Sequence, residues 1–230
     1  KLHNAGQICL APDYVFVPEE SLDDFIASAR EVVARFYPSL RDNPDYTSVI
    51  NARHRQRLQG YLDEAREAGV ELVELNPAGE DFAVQSAHKL APTLLRNPGD
   101  ELKVMQDEIF GPLLPLKPYK DIGEVIAYIN AHPRPLGLYY FGNDADEQAL
   151  VLRRTTSGGV TLNDVIKHVG IESLPFGGVG PSGMGAYHGR DGFRAFSHAK
   201  AVFKPAEGPD LMRPPYIEQV KQIVASLITR

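Results

Sequence analysis

Cys9 is the residue of this sequence with the clearest chemical potential, because it is the only cysteine among 230 residues. It follows a glycine-containing turn, NAGQI at 4–8, and precedes an apolar run that begins at Tyr14. A nucleophile on such a turn can direct its backbone N–H toward a bound carbonyl oxygen, and a thiolate attacks carbonyl carbon readily. The other interpretation is an inert thiol that packs as a small hydrophobic side chain. A lone cysteine excludes an intrachain disulfide and a cysteine-based metal site, and we assign no metal ligands.

Glu108 and Phe110 form a second candidate pair, within the stretch QDEIFGP at 106–112. Side chains two residues apart on an extended chain point to the same side. A carboxylate there can accept hydrogen bonds from a ribose diol while the ring packs against a flat heterocycle. The alternative is a solvated glutamate beside a core phenylalanine.

A glycine-rich stretch, LPFGGVGPSGMG at 174–185, is the third candidate. A nucleotide-binding fingerprint should follow a strand and open a helix within a βαβ unit. This stretch comes late in the chain and matches that pattern imperfectly. We therefore predict close backbone packing beneath a pocket, without phosphate binding.

Taken together, three stretches resemble the aldehyde dehydrogenase family. NAGQICLAPDYVFV is similar to its nucleophile segment, and DEIFGP, roughly a hundred residues later, to its Glu-x-Phe-Gly-Pro cofactor segment. LPFGGVGPSGMGAYHGRDGFRAFSHAKAV is similar to its C-terminal Pro-Phe-Gly-Gly block. The resemblance covers 4 to about 204. The stretches SGGVTLNDVIKH, GAYHG and FSH most resemble the class of aldehyde dehydrogenases that acts on fatty and aromatic aldehydes, including coniferyl aldehyde.

The resemblance implies a role for each matching residue. Cys9 would attack the aldehyde, giving a thiohemiacetal and, after hydride loss, a thioester that water hydrolyses to the carboxylic acid. Glu108 would bind the nicotinamide ribose of NAD or NADP, and Phe110 would pack against the nicotinamide ring. Asn163, His168 and Phe176 match a segment near the substrate pocket, although a structural role for His168 is the stronger interpretation.

The chain opens on KLHNAGQIC without a methionine, so we expect a fragment that lacks an upstream NAD-binding domain. That domain would supply most of the cofactor site and the choice between NAD and NADP. The family's general-base glutamate and oxyanion asparagine would also lie upstream. We therefore expect the isolated polypeptide to be at best barely active, and the parent enzyme to be a homodimer or homotetramer.

Alternating helix and strand patterns predict an α/β fold: an open, largely parallel twisted sheet with helices on both faces. In chain order, the sequence predicts strand 14–17, helix 21–36, helix 51–68, strands 70–75, 91–95 and 113–119, helix 121–129, strand 138–141, helix 144–154 and strand 159–162. Ser21, Asn51, Asp121 and Asp144 are the expected helix caps. Residues 1–204 would form the catalytic domain, and 205–230 a linker followed by an amphipathic helix from Ile217 to Ile228.

The composition is that of an ordinary globular protein, with 43% hydrophobic and 23% charged residues. A net charge of -6 argues against a nucleic-acid partner, because such proteins usually carry a clustered basic face. No apolar run approaches the roughly 20 residues that span a bilayer. We expect a soluble, cytoplasmic protein whose partner is a small-molecule aldehyde.

Two alternatives remain open on the sequence. Cys9 could serve a cysteine hydrolase, paired with a histidine such as His168, His188 or His198. That interpretation leaves Glu108 and Phe110 unexplained. The chain could also be a folded but catalytically silent interaction module.

Overall fold

Short strands alternate with helices along most of the chain, which the computed structural model describes at residues 1–83, 85, 87–205, 207, 214 and 218–228. The strands are β1 (Val15–Pro18), β2 (Glu71–Glu74), β3 (Thr93–Arg96), β4 (Leu113–Tyr119), β5 (Gly137–Tyr140) and β6 (Gly159–Leu162). The α-helices are α1 (Leu22–Phe36), α2 (Ala52–Glu67), α3 (Lys103–Gln106), α4 (Ile122–Ala131), α5 (Ala145–Arg154), α6 (Gly189–Ala195) and α7 (Glu218–Ile228). The predicted alternation is confirmed, with boundaries shifted by one or two residues at most elements.

The strands form two sheets. The larger has the order β1-β4-β3-β2, in which β4 pairs in parallel with both β1 and β3 and only the edge strand β2 is antiparallel. Strands β5 and β6 form a separate parallel pair. The open, largely parallel architecture is thus confirmed, although it is divided between two sheets.

Helices cover both faces of the four-stranded sheet. Successive strand residues point to opposite faces, and Leu94 and Leu95 of β3 accordingly belong to different cores. Leu94 packs with the apolar face of α1, whereas Leu95 packs with that of α2. A third cluster joins α4, α5, β5 and β6. The four-stranded sheet is therefore packed between α1 on one face and α2 on the other.

Side-chain caps begin three of the helices as predicted. The residues are Asn51, which accepts from His54 N at 2.9 Å, Asp121, which accepts from Gly123 N at 2.7 Å, and Asp144, which accepts from Asp146 N and Glu147 N. The cap predicted for Ser21 is wrong: it occupies the N-cap position of α1, but its side chain makes no capping hydrogen bond. A 3-10 turn, Glu19–Ser21, runs directly into α1, so Ser21 lacks the extended backbone that a capping hydroxyl requires.

Two compact units divide the chain, Lys1–Phe196 and Ser197–Arg230. In the second unit, α7 forms within the amphipathic helix predicted to begin at Ile217, a residue that lies outside the described ones. Most of the predicted linker, 205–215, also lies outside them. Among the residues that are described, no helix is both long enough and apolar enough to cross a membrane. The division into 1–204 and 205–230 stays a prediction.

Candidate active site

Cys9 is solvent-exposed and follows a turn of unusual backbone conformation. Asn4, Ala5 and Gly6 have φ values of 51°, 52° and 75°, three consecutive residues in the left-handed region. Such conformations cost free energy in residues other than glycine and persist only where surrounding contacts fix them. Because Cys9 is exposed, the interpretation of this residue as a packed hydrophobic side chain is wrong.

Gln7 supplies part of the contacts that fix this nucleophile turn, which we define as residues 4–9. Its Nε2 donates to Ser48 O and to Asn4 O, each at 3.0 Å, and its Oε1 accepts from Ile50 N at 2.9 Å. The amide thus uses both its donor and acceptor ends. These bonds tie the nucleophile turn to the loop before α2.

Tyr139 of β5 holds the other side of the turn. Its hydroxyl donates to Leu10 O at 2.7 Å, across 129 positions of sequence. Burial raises the pKa of Tyr139 to about 12. A hydrogen bond with the Ile166 backbone lowers this pKa, and the electrostatic effect of Cys9 raises it. The hydroxyl consequently stays protonated at neutral pH and remains a donor. The small β5–β6 sheet therefore buttresses the residue that follows the thiol.

Glu108 is exposed, and Phe110 is 40% exposed with a φ of 48°. The prediction that these two residues lie on an extended chain is wrong, because the left-handed conformation of Phe110 interrupts it. Ile109 between them is 1% exposed and belongs to the core cluster that contains Leu58 and Leu113. The segment is therefore anchored through Ile109, while its two predicted functional side chains remain accessible.

The structure brings this cofactor segment, residues 107–111, against the nucleophile turn. A Cβ at Gly6 would overlap the carbonyl oxygen of Gly111, so the two backbones are in direct contact. Asp13 Oδ1 also accepts from Ile109 N at 3.1 Å. Two motifs roughly a hundred positions apart thus form one surface.

Arg57 and Tyr61 of α2 hold the cofactor segment, and neither was predicted from the sequence. Arg57 donates to Ile109 O at 2.8 Å and to the Tyr61 hydroxyl at 2.8 Å, and that hydroxyl donates to Asp107 Oδ2 at 2.7 Å. The only available signal was their spacing of four residues, which places them on one face of a helix. Because α2 is rich in charged residues, many of its residue pairs share this spacing, and it does not single out Arg57 and Tyr61.

The residues predicted to lie near the substrate occupy two different environments. His168 is 8% exposed, its Nδ1 lies 2.8 Å from Thr161 Oγ1, and its ring centroid lies 6.0 Å from that of Phe176 and 6.4 Å from that of Tyr139. Burial lowers the pKa of His168 below its usual value. Tyr139 belongs to this ring cluster and also donates to Leu10 O. The cluster therefore contacts the residue that follows Cys9.

Asn163 is engaged elsewhere. Its Oδ1 accepts from Gly142 N at 2.8 Å and its Nδ2 donates to Gly142 O at 3.1 Å, while its own φ is 54°. The amide therefore closes the end of the β5–β6 sheet. No described contact joins Asn163 to His168 or Phe176, and its place near a substrate stays a prediction.

The glycine-rich loop packs backbone against backbone, as predicted. A Cβ at Gly177 would overlap Gly185 O, and one at Gly178 would overlap Ser182 O. Phe176 pairs with Tyr187 through two backbone hydrogen bonds of 2.9 Å. The loop thus folds back on itself, and its Phe176 contributes to the ring cluster with His168.

Histidine is not hydrogen-bonded to the thiol. Within the described part of the chain, no hydrogen bond joins Cys9 to His168, His188 or His198. A cysteine hydrolase needs such a bond to generate its thiolate. The hydrolase alternative therefore receives no support from the geometry.

Glu108 and Phe110 fit a nicotinamide cofactor. The exposed carboxylate can accept hydrogen bonds from a ribose diol, and the exposed ring face can pack against a flat heterocycle. Both belong to a segment fixed in place through its neighbours. A hydrogen-bond acceptor and an aromatic ring thus suit the ribose and the nicotinamide of a dinucleotide, beside an exposed thiol.

Comparison with known proteins identifies the family of this chain. The sequence profile of the aldehyde dehydrogenase family matches residues 1–202. A protein of Caulobacter vibrioides named "Probable coniferyl aldehyde dehydrogenase" is 55% identical over 100% of this chain and 48% of its own length. The coniferyl aldehyde dehydrogenase of a Pseudomonas species is 54% identical with the same coverage. The chain therefore spans about half the length of the curated relatives it matches.

Solved structures give the same result. The substrate-bound structure of Staphylococcus aureus AldH superposes with a TM-score of 0.82 at 36% identity, over 99% of this chain and 48% of that one. An NAD-dependent aldehyde dehydrogenase from Sinorhizobium meliloti superposes with a TM-score of 0.78 at 26% identity, over 91% of this chain and 41% of that one. From the profile match, the relatives and the shared fold, the chain belongs to the aldehyde dehydrogenase family.

Proposed function

We propose that this chain is the catalytic half of an NAD(P)-dependent aldehyde dehydrogenase and that Cys9 is its nucleophile. The observation that carries the proposal is the contact between Gly6 and Gly111, which joins the turn bearing the exposed thiol to the segment bearing Glu108 and Phe110. A nucleophile and a cofactor-binding pair on one surface is the arrangement that oxidation of a bound aldehyde requires.

The Cys9 thiolate adds to the aldehyde carbon, forming a C–S bond and a tetrahedral alkoxide. The Cys9 backbone N–H stabilises that oxyanion. This addition is needed because a planar aldehyde does not release hydride readily, whereas the tetrahedral alkoxide does. When bound, the nicotinamide supplies the hydride acceptor. The remaining thioester is hydrolysed by water, which restores the thiol and releases the carboxylic acid.

Glu108 and Phe110 orient the cofactor in this proposal. The Glu108 carboxylate accepts hydrogen bonds from the ribose, and the Phe110 ring packs against the nicotinamide. Holding the acceptor at a fixed place beside the thiohemiacetal lowers the entropic cost of transfer. The choice between NAD and NADP would be made outside these residues.

The proposed substrate is an aromatic or fatty aldehyde. Support comes from the coniferyl aldehyde dehydrogenases that are 54% and 55% identical to this chain. We place Asn163, His168 and Phe176 near the substrate, with Phe176 lining or supporting the floor. A homodimeric or homotetrameric, cytoplasmic parent enzyme is part of the same proposal.

Residues 1–230 alone should turn over aldehyde barely, if at all. By family resemblance, the general-base glutamate, the oxyanion asparagine and most of the dinucleotide site belong to the half of the relatives' length that this chain does not match. The test measures NADH formation from coniferyl aldehyde, and from a fatty aldehyde, with the complete reading-frame product and with residues 1–230.

The expected result is Cys9-dependent turnover by the complete product and little by residues 1–230. Two controls separate the alternatives: Cys9→Ser, and hydrolysis of p-nitrophenyl acetate with and without NAD. Cys9-dependent ester hydrolysis without any aldehyde oxidation by the complete product would overturn the proposal in favour of a hydrolase.

A further inference from the structure

The two residues that flank Glu108 are held by hydrogen bonds, while the Glu108 residue itself is exposed. Ile109 N donates to Asp13 Oδ1 at 3.1 Å, and Ile109 O accepts from Arg57 Nη2 at 2.8 Å. On the other side of Glu108, the Asp107 carboxylate accepts from Tyr61 at 2.7 Å. A side chain between two anchored neighbours is preorganised for binding, because little freedom remains to be lost.

Asp13 and Arg57 come from two different parts of the fold. Asp13 lies four positions after Cys9, just before β1, so it belongs to the same segment as the thiol. Arg57 lies in α2, where it also donates to the Tyr61 hydroxyl at 2.8 Å. Asp13 therefore links the stretch that follows Cys9 directly to the cofactor segment.

Asp13 lies among charges of both signs. Its pKa is raised above the usual value, chiefly by burial and also by the negative charge of Glu108. Lys1, the hydrogen bond from Ile109 and Arg57 oppose that rise. Lys1 Nζ lies 4.0 Å from Asp13 Oδ1. The carboxylate is thus used as an acceptor with cations nearby, an arrangement that serves to hold a peptide group.

Resting on the proposed function, we propose that Asp13 and Arg57 are positioning residues that clamp Ile109 through its backbone N–H and its carbonyl oxygen. The clamp sets where the Glu108 carboxylate and the Phe110 ring lie relative to Cys9. It determines cofactor affinity and leaves the chemistry of the thiol unchanged. Neither residue touches the reacting atoms in this proposal.

The variants separate the hydrogen bond from the charge. Asp13→Ala removes the acceptor, whereas Asp13→Asn keeps a side-chain oxygen that can accept from Ile109 N. Arg57→Lys keeps the charge and removes the planar fork. The matched control is Asp23→Ala, which removes a carboxylate paired with Arg96 on the surface. It is a comparable loss of an acid outside the cofactor segment.

Two measurements are made on the complete reading-frame product. Amide hydrogen exchange of residues 107–111 without cofactor reports the clamp directly. Calorimetric NAD affinity, together with the KM for NAD and kcat, reports its effect on binding. Losing one hydrogen bond should weaken NAD binding by about three- to tenfold. Iodoacetamide labelling of Cys9 without cofactor checks that the thiol is unchanged.

We expect Asp13→Ala and Arg57→Lys to speed exchange at 107–111 and to raise the NAD dissociation constant and KM, with iodoacetamide labelling of Cys9 as in the wild type. Asp13→Asn and Asp23→Ala should resemble the wild type in both measurements. Unchanged exchange in Asp13→Ala, or faster exchange with unchanged NAD affinity, would overturn the clamp. If Asp13→Ala does not fold, Arg57→Lys decides the matter alone. A wild type that binds NAD but oxidises no aldehyde would sink the proposed function, and exchange and affinity would still test the clamp.

Discussion

Gly6 and Gly111 touch through their backbones, leaving no space for a Cβ on Gly6. The first lies in the nucleophile turn and the second ends the cofactor segment. Glycine is required at Gly6 for two reasons, since its φ of 75° also disfavours any other residue. This contact and the hydrogen bond from Ile109 N to Asp13 together hold the two motifs side by side.

Gly6→Ala should therefore destabilise the protein by about 1–3 kcal/mol, through backbone strain and overlap with Gly111 O. Urea unfolding measures the loss. The control is Gly60→Ala within α2, where nothing lies within 4 Å of an added Cβ. That helical substitution should stabilise by about 0.5–1 kcal/mol. Equal stability of Gly6→Ala and wild type would show that the contact does not constrain the turn.

Cys9→Ser should reduce aldehyde oxidation roughly 10³-fold or more, because a serine hydroxyl is not ionised at neutral pH and is a much weaker nucleophile than a thiolate. The measurement is NADH formation by the complete reading-frame product. Iodoacetamide labelling of residues 1–230, followed by mass spectrometry, is the companion experiment, and because Cys9 is the only cysteine of these 230 residues, labelling of the serine variant should disappear. Retained oxidation in the serine variant would rule out Cys9 as the nucleophile.

Tyr139→Phe removes the hydroxyl that donates to Leu10 O, which should cost about 1 kcal/mol of stability. Amide exchange of residues 5–11 should also become faster, because the nucleophile turn loses one of its supports. Tyr140→Phe is the matched control: its hydroxyl donates to Glu147 Oε1 at 2.7 Å. That variant should lose similar stability without any change in exchange at the turn. Identical exchange in both variants would argue against the proposed support.

His168 should make stability depend on pH. Burial lowers the pKa of its imidazole in the folded state, so below about pH 6.5 the unfolded chain binds a proton that the folded chain does not. Stability from this residue is therefore complete above that pH and is lost as the pH falls toward the folded pKa. His168→Gln should show a smaller decrease in Tm between pH 7.5 and pH 5 than the wild type.

The control for that experiment is His198→Gln, which replaces an exposed histidine. It should leave the pH dependence of Tm as it is in the wild type. A pH profile of His168→Gln that parallels the wild type would mean that His168 is not the group responsible.

Local features of the fold could be predicted because their causes are local. Asn51, Asp121 and Asp144 cap helices through bonds to residues two or three positions away, which the sequence places within reach. The Ser21 cap was wrong because a preceding 3-10 turn changed its backbone. The extended chain predicted at Phe110 was wrong because this residue has a left-handed φ of 48°.

By itself, the sequence determined the chemistry available to this protein: one thiol on a glycine turn, an acid and an aromatic ring that follow it, and α/β alternation to carry them. Only the tertiary structure decided that these groups share a surface. It also identified Arg57, Tyr61 and Asp13 as the residues that hold them. The physical reason is that each of these bonds joins segments 46 to 96 positions apart, and no local pattern of residue types encodes which distant peptide group a side chain will meet.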